Sequence, residues 1–160
     1  MIEKLLPGLS HLQNPHPLFV HYPIALLLAA TVFYALAWAR RSESLSVAAF
    51  WMLMAGAAAA AVAVATGQYA EEGVMVARSV RAELLDRHQT LMWTTASVSI
   101  VAAAWAIVQR PFPRRARPLF MLLLVSMLVV LFAGADYGGR MVYDYNAGGS
   151  ACGQPIEFTK

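Results

Sequence analysis

Four histidines are the residues whose type and placement could do chemistry in this 160-residue chain. His11, His16 and His21 fall in the stretch Ser10-His11-Leu12-Gln13-Asn14-Pro15-His16-Pro17-Leu18-Phe19-Val20-His21-Tyr22-Pro23, and His88 stands far downstream. Neutral imidazole is a ligand for haem iron, copper or zinc. Two imidazoles on separate helices can approach one metal from opposite sides, the arrangement of a b-type haem with two histidine ligands. His21 and His88 are expected to be that pair, with His16 as the alternate ligand and His11 solvated. A second group, Asp136-Tyr137-Gly138-Gly139-Arg140, follows the last apolar run. Asp136 and Arg140 are spaced for an i,i+4 ion pair. Equally, Asp136, Tyr137 and Arg140 could hold the propionates of a haem, with Arg140 as the charge partner. Met92 and Met141 are weaker candidates as thioether ligands.

The elements that must position these residues follow from composition. The residues are 59% hydrophobic and only 13% charged, against roughly 45–50% and about 25% in soluble domains. A soluble fold of this length cannot hide that much apolar surface, and disordered chains are polar and poor in aromatics. The chain therefore reads as an integral membrane protein. A hydrocarbon core about 30 Å thick takes roughly 20 helical residues. Four segments reach that length: about Leu18 to Ala39, Ser46 to Gly67, Leu91 to Val108 with a start as early as Ala82, and Leu119 to Ala135. Each reads as a helix, because lipid leaves a backbone no outside partner for its hydrogen bonds. The Gly138-Gly139 pair is expected to end the fourth helix with a turn.

The first segment is read as a retained span. Ala35-Leu36-Ala37 resembles a cleavage site, but Glu3 and Lys4 cancel before the apolar run and Arg40-Arg41 follow it, which is the wrong charge pattern for a signal peptide. Arg40, Arg41, Arg110, Arg114, Arg115 and Arg117 place half of the 12 basic residues in the two short loops after the first and third spans. Those loops should face the cytoplasm. Both termini and the loop from Gln68 to Arg87 then face outward. The three histidines His16, His21 and His88, with Asp136, Arg140 and several tyrosines, gather at that outer face. The net charge of +3 then reflects loop bias and not nucleic-acid binding.

On the third span His88 shares a face with Met92, Thr95 and Ser99, and on the first span His21 shares a face with Ala25 and Leu28. The polar stripe of the third span is expected to face the bundle interior. The second span is rich in small residues, from Gly56 through Ala57 to Ala61 and on to Ala63 and Gly67. These permit close helix approach, or room for a flat cofactor. Trp38, Trp51, Trp93 and Trp105 suit an interfacial belt. No internal repeat is apparent. Cys152 is alone, so no disulfide forms within the chain, and no C-x-x-C-H motif exists for covalent haem attachment. Nor is there a serine or cysteine triad, a P-loop or an HExxH motif.

Three features resemble a family of predicted four-helix bacterial inner-membrane proteins of unknown function. They are the stretch His16-Pro17-Leu18-Phe19-Val20-His21-Tyr22-Pro23-Ile24-Ala25-Leu26, a histidine opening the third span, and Asp136-Tyr137-Gly138-Gly139-Arg140-Met141-Val142-Tyr143. The resemblance covers about Asn14 to Gly148. It departs from the family's last motif at Met141, where leucine is usual, and in Asp144-Tyr145-Asn146. The resemblance implies a four-helix inner-membrane fold. Some similar proteins look associated with c-type cytochromes, which implies redox work.

The expectation is an all-α integral membrane protein, a four-helix bundle with both termini outside. It divides into an outer N-terminal segment (1–17), a membrane domain (18–136) and an outer tail (137–160). It is expected to carry haem b in the bacterial inner membrane, as a subunit and not a free-standing enzyme. Its partners would be the lipid bilayer and a periplasmic cytochrome c or a larger membrane complex. Open alternatives are a copper or zinc site using His16, His21 and His88, and a cofactor-free structural subunit. A transporter ranks last, because the inner halves of the spans lack charged residues.

Overall fold

The computed structural model describes residues 15–71, 78–113, 115–145 and 147. His11, Cys152 and most of the two terminal segments lie outside the described residues. Among the described residues the chain is all helical, with four helices long and apolar enough to cross a membrane: His16–Arg40, Glu43–Glu71, Arg81–Val108 and Arg117–Tyr145. They are called helices one to four below.

Helix one is made of two pieces, His16–Phe19 and His21–Arg40, that meet at Val20. Pro23 explains the join. It has no N–H to give the carbonyl of Phe19, and its ring crowds that carbonyl. At the other end Arg41 adopts a left-handed conformation (φ 51°, ψ 37°), and its N–H closes the helix on the carbonyl of Ala37. Ser42 follows at once and its Oγ accepts from the N–H of Leu45 (3.4 Å), so helix two starts with almost no loop.

That tight turn lays helices one and two side by side. Helix one buries Leu27, Ala30, Thr31, Tyr34 and Ala37, and helix two meets them with Ala49, Leu53, Gly56, Ala57 and Ala60. A Cβ added at Gly56 would stand 2.7 Å from Cδ2 of Leu27 and 3.3 Å from Cβ of Leu26. At this position the small residues serve close packing. Helix two also packs on helix three, helix three on helix four, and helix four closes back on helix one. Helices one and three therefore lie across one diagonal of the bundle, and two and four across the other.

One sequence expectation about helix four is corrected. The helix does not end at the Gly138-Gly139 pair but runs unbroken to Tyr145. The buried positions Phe120, Leu124, Met127, Leu131, Gly134 and Met141 follow the helical repeat through the glycines. Gly134 and Gly138 lie on the side packed against helix three, where a Cβ would meet Met92 and His88. They are contact residues and not stop signals. Helix three opens with a π-helical turn, Arg81–Leu85. This turn directs the adjacent Leu84 and Leu85 both inward, onto Met141 and Tyr137.

The arginine-bearing end is closed by aromatics. The Tyr34 hydroxyl donates to the carbonyl of Pro111 (2.9 Å). Phe112 is buried, and the Tyr34 ring lies 4.9 Å from that of Phe112 and 5.2 Å from that of Phe120. The segment joining helices three and four thus folds over the bundle end.

Gly56→Val should separate helices one and two, because a branched side chain there has no volume to enter. The expected loss is roughly 1–3 kcal/mol of stability, as for overpacked cores, read by thermal unfolding in detergent. Gly56→Ala should cost much less, since the Leu27 tip can rotate away. Equal stability of Gly56→Val and the parent would contradict this packing.

Candidate functional site

His16 enters the bundle from the first turn of helix one. Its ring lies against Gly67 of helix two, where an added Cβ would sit 3.0 Å from Cε1 and 3.3 Å from Nδ1. The Thr66 hydroxyl donates to the carbonyl of Ala63 (3.0 Å), so its oxygen accepts from Nδ1–H of His16 (3.2 Å). The same Ala63 carbonyl is within hydrogen-bonding reach of the ring. With Nδ1 as the donor to Thr66, the second ring nitrogen, Nε2, is the acceptor.

His88 repeats the arrangement on the other half of the molecule. Its Nδ1–H donates to the carbonyl of Gly134 in helix four (2.7 Å), so its lone pair is on Nε2 too. The ring lies against Gly138, where an added Cβ would stand 3.0 Å from Cε1. In each hairpin a histidine stands near the start of the first helix, in the first turn of helix one and just after the π-turn of helix three. It then meets a carbonyl and, four residues on, a glycine of the second helix: Ala63 and Gly67, Gly134 and Gly138. The intervals 16–67 and 88–138 differ by a single residue. In a ring of helices in this order, a half-turn about the bundle axis exchanges the hairpins and so exchanges the imidazoles. His16 and His88 lie within electrostatic reach of each other.

His21 takes a different position from the one expected. It is exposed, and its Nδ1 lies 3.2 Å from the carbonyl of Pro17 on its own helix. The inward face of helix one begins at Pro23 and continues through Leu27, Ala30 and Tyr34. His21 is two residues before Pro23 and so points to the opposite side, as do the exposed Ala25 and Leu28 of its face. On helix three the expectation agrees with the structure, with Thr95 and Ser99 buried below His88.

The acidic and basic candidates are dispersed. Asp136 is exposed on the outer side of helix four. The expected Asp136–Arg140 pair is replaced by Arg140 with Asp144 (Nε to Oδ2, 3.8 Å), a pair made possible because the helix continues another turn. The Arg140 guanidinium is 5.9 Å from the centre of the Tyr137 ring, and Tyr137 packs on the Leu84–Leu85–Met141 cluster. Met141 and Met92 are packing residues, the latter lying against Gly134.

The sequence reading missed a polar clasp beside His88. Glu71, the last residue of helix two, receives a hydrogen bond and ion pair from Arg81. Its other oxygen accepts from Nε2 of Gln89 (2.5 Å). One carboxylate thus joins the end of helix two to the π-turn and to the residue after His88. Among the described residues, no three histidine, cysteine, aspartate or glutamate side chains converge to hold a metal ion.

Residues 13–151 match a family described as predicted membrane protein (DUF2231). The chain belongs to that family. The match takes in both hairpins, His16, His88 and the glycines that flank them. No curated protein matches the chain, and no solved structure does. The family description is of a membrane protein and carries no activity, so what this member does must be argued from its own residues.

Removing the clasp should loosen the histidine-bearing end. Glu71→Ala is expected to cost about 1 kcal/mol, the upper value for a partly exposed ion pair. Hydrogen exchange should quicken at residues 81–89 and stay unchanged around Tyr34. Unaltered exchange in that stretch would show that Glu71 does not hold it.

Proposed function

We propose that this membrane protein is an electron-transfer subunit in which His16 and His88 provide the two axial nitrogens of a b-type haem. The observation that carries the reading is the matched pair of imidazoles. They come from diagonal helices, at the same end of the bundle, each with Nδ1–H tied to the neighbouring helix. A hydrogen bond from the far nitrogen to a carbonyl or hydroxyl fixes the ring and raises the basicity of Nε2, the usual support for a metal-bound histidine. Gly67 and Gly138 give each ring a seat that any Cβ would fill. Bound haem supplies one-electron chemistry at iron, with a potential set partly by its axial ligands.

The number of donors favours haem over zinc. A porphyrin brings four equatorial nitrogens and asks only two ligands of the protein. Structural zinc asks for four and catalytic zinc for three. His21, turned outward, is not well placed to join a three-histidine copper or zinc site. Asp136 and Arg140 lie outward as well, which leaves Tyr137 as the member of that motif nearest the bundle.

In this reading the arginine-rich end faces the cytoplasm, by the charge bias of its short loops, and both termini and the imidazoles face the periplasm of a bacterial inner membrane. Electrons would then pass to or from a periplasmic cytochrome c or a larger membrane complex docked on the outer end.

The test is a pyridine haemochrome assay on the full chain purified in detergent, beside His16→Ala, His88→Ala and His21→Ala. Haem is expected in the parent and in His21→Ala, with loss of most of it in the other two. Haem-free parent protein would reject the reading in favour of a structural subunit. Retention of haem in both His16→Ala and His88→Ala would reject the ligand assignment.

A further inference from the structure

We propose that the arginine-bearing end of the bundle is a binding site for the phosphate of an anionic lipid headgroup, formed by Arg110, Arg115 and Arg117. Guanidinium groups pair with phosphate oxygens through two parallel N–H bonds, and this end holds them in place for it. The guanidinium of Arg110 lies over the ring of Phe50, 5.3 Å from its centre, and that of Arg117 lies over Phe112 at 5.1 Å. Both rings are buried. The segment between the arginines is pinned by the Tyr34 hydroxyl on the carbonyl of Pro111. The two guanidiniums are therefore fixed by ring contacts and do not sweep freely through solvent.

Their charge is uncompensated. Among the described residues the ion pairs are Arg81 with Glu71 and Arg140 with Asp144, both at the opposite end. Among the described residues Glu43 is the one acidic residue at the arginine end, which also carries Arg40 and Arg41. Among the described residues the buried Nε–H of Arg117 has no acceptor, so no protein group there competes for this guanidinium.

Depth selects the source of the phosphate. Val108, 81% exposed, comes just before Arg110, and Leu119, 59% exposed, just after Arg117. The arginines thus sit where the lipid-facing apolar surface stops, at the level of headgroups. A dissolved phosphate ion offers the same oxygens but no reason for this placement.

The full chain in phosphatidylcholine vesicles, with either brominated phosphatidylglycerol or brominated phosphatidylcholine added, tests the site by tryptophan quenching. Trp105, which packs on Phe120 at this end, is a nearby reporter. The parent should be quenched preferentially by the anionic lipid. That preference should fall about five-fold for each arginine removed, the factor for one basic residue at an anionic leaflet. The variants are Arg110→Gln/Arg117→Gln and Arg115→Gln; Arg115 is exposed and stacks on no ring, so its removal leaves the fold intact. Equal quenching by the two lipids in the parent, or an undiminished preference in the variants, would overturn the proposal. So would erasure of the preference by inorganic phosphate beyond the effect of sodium chloride at equal ionic strength, which would assign the site to the free ion.

Discussion

The hydrogen bond from His88 to the carbonyl of Gly134 sets the terms for the half of the molecule that holds the histidines. An imidazole N–H placed near the lipid level has little water to turn to, and leaving it unmet is costly. The nearest acceptor is a backbone carbonyl of helix four, which a ring can reach only if the helices come very close. Gly138 allows that approach, because a Cβ there would press on the ring itself. The same constraint is met in the first hairpin by His16, Thr66 and Gly67. A histidine in each hairpin is thus held in ring orientation by a neighbouring helix through its Nδ1.

The rest of the bundle divides into layers with different work. The middle is mainly alanine and leucine in close contact, and the buried hydroxyls of Thr31, Thr95 and Ser99 are each satisfied by a carbonyl of their own helix. The arginine end is stacked aromatics with guanidiniums laid over them. The histidine end is polar, with the Glu71 clasp beside His88 and each imidazole held against the second helix of its own hairpin. Chemistry confined to one end suits a centre that meets a partner at the membrane surface, and it suits a transport pathway poorly.

Much of the fold was legible in the sequence. Four apolar runs of span length gave four helices, since the backbone in lipid has no other way to satisfy itself. The inward stripe of helix three was legible from Thr95 and Ser99. The end of helix four was not, because a Gly-Gly pair reads locally as a stop, while here glycine is required by the helix packed against it. The choice between His16 and His21 was also hidden. It depends on register: His16 lies two turns before the inward Pro23, on the same face, and His21 lies two residues before it, on the other. The repeat of a histidine followed by a carbonyl and glycine in the next helix is carried by few side chains, so the sequence hides it. Glu71 and Arg81 could have been suspected as opposite charges flanking a short connection, but Gln89 could not, since its partner depends on the π-turn.

The central claim is that His16 and His88 together ligate one iron. The most direct measurement is electron paramagnetic resonance of the oxidised full chain. A low-spin ferric spectrum with two imidazole ligands, unchanged in His21→Ala and converted to high spin or lost in His16→Ala, is the result expected. A high-spin or iron-free parent, or a low-spin spectrum that disappears with His21 and persists without His16, would contradict the account.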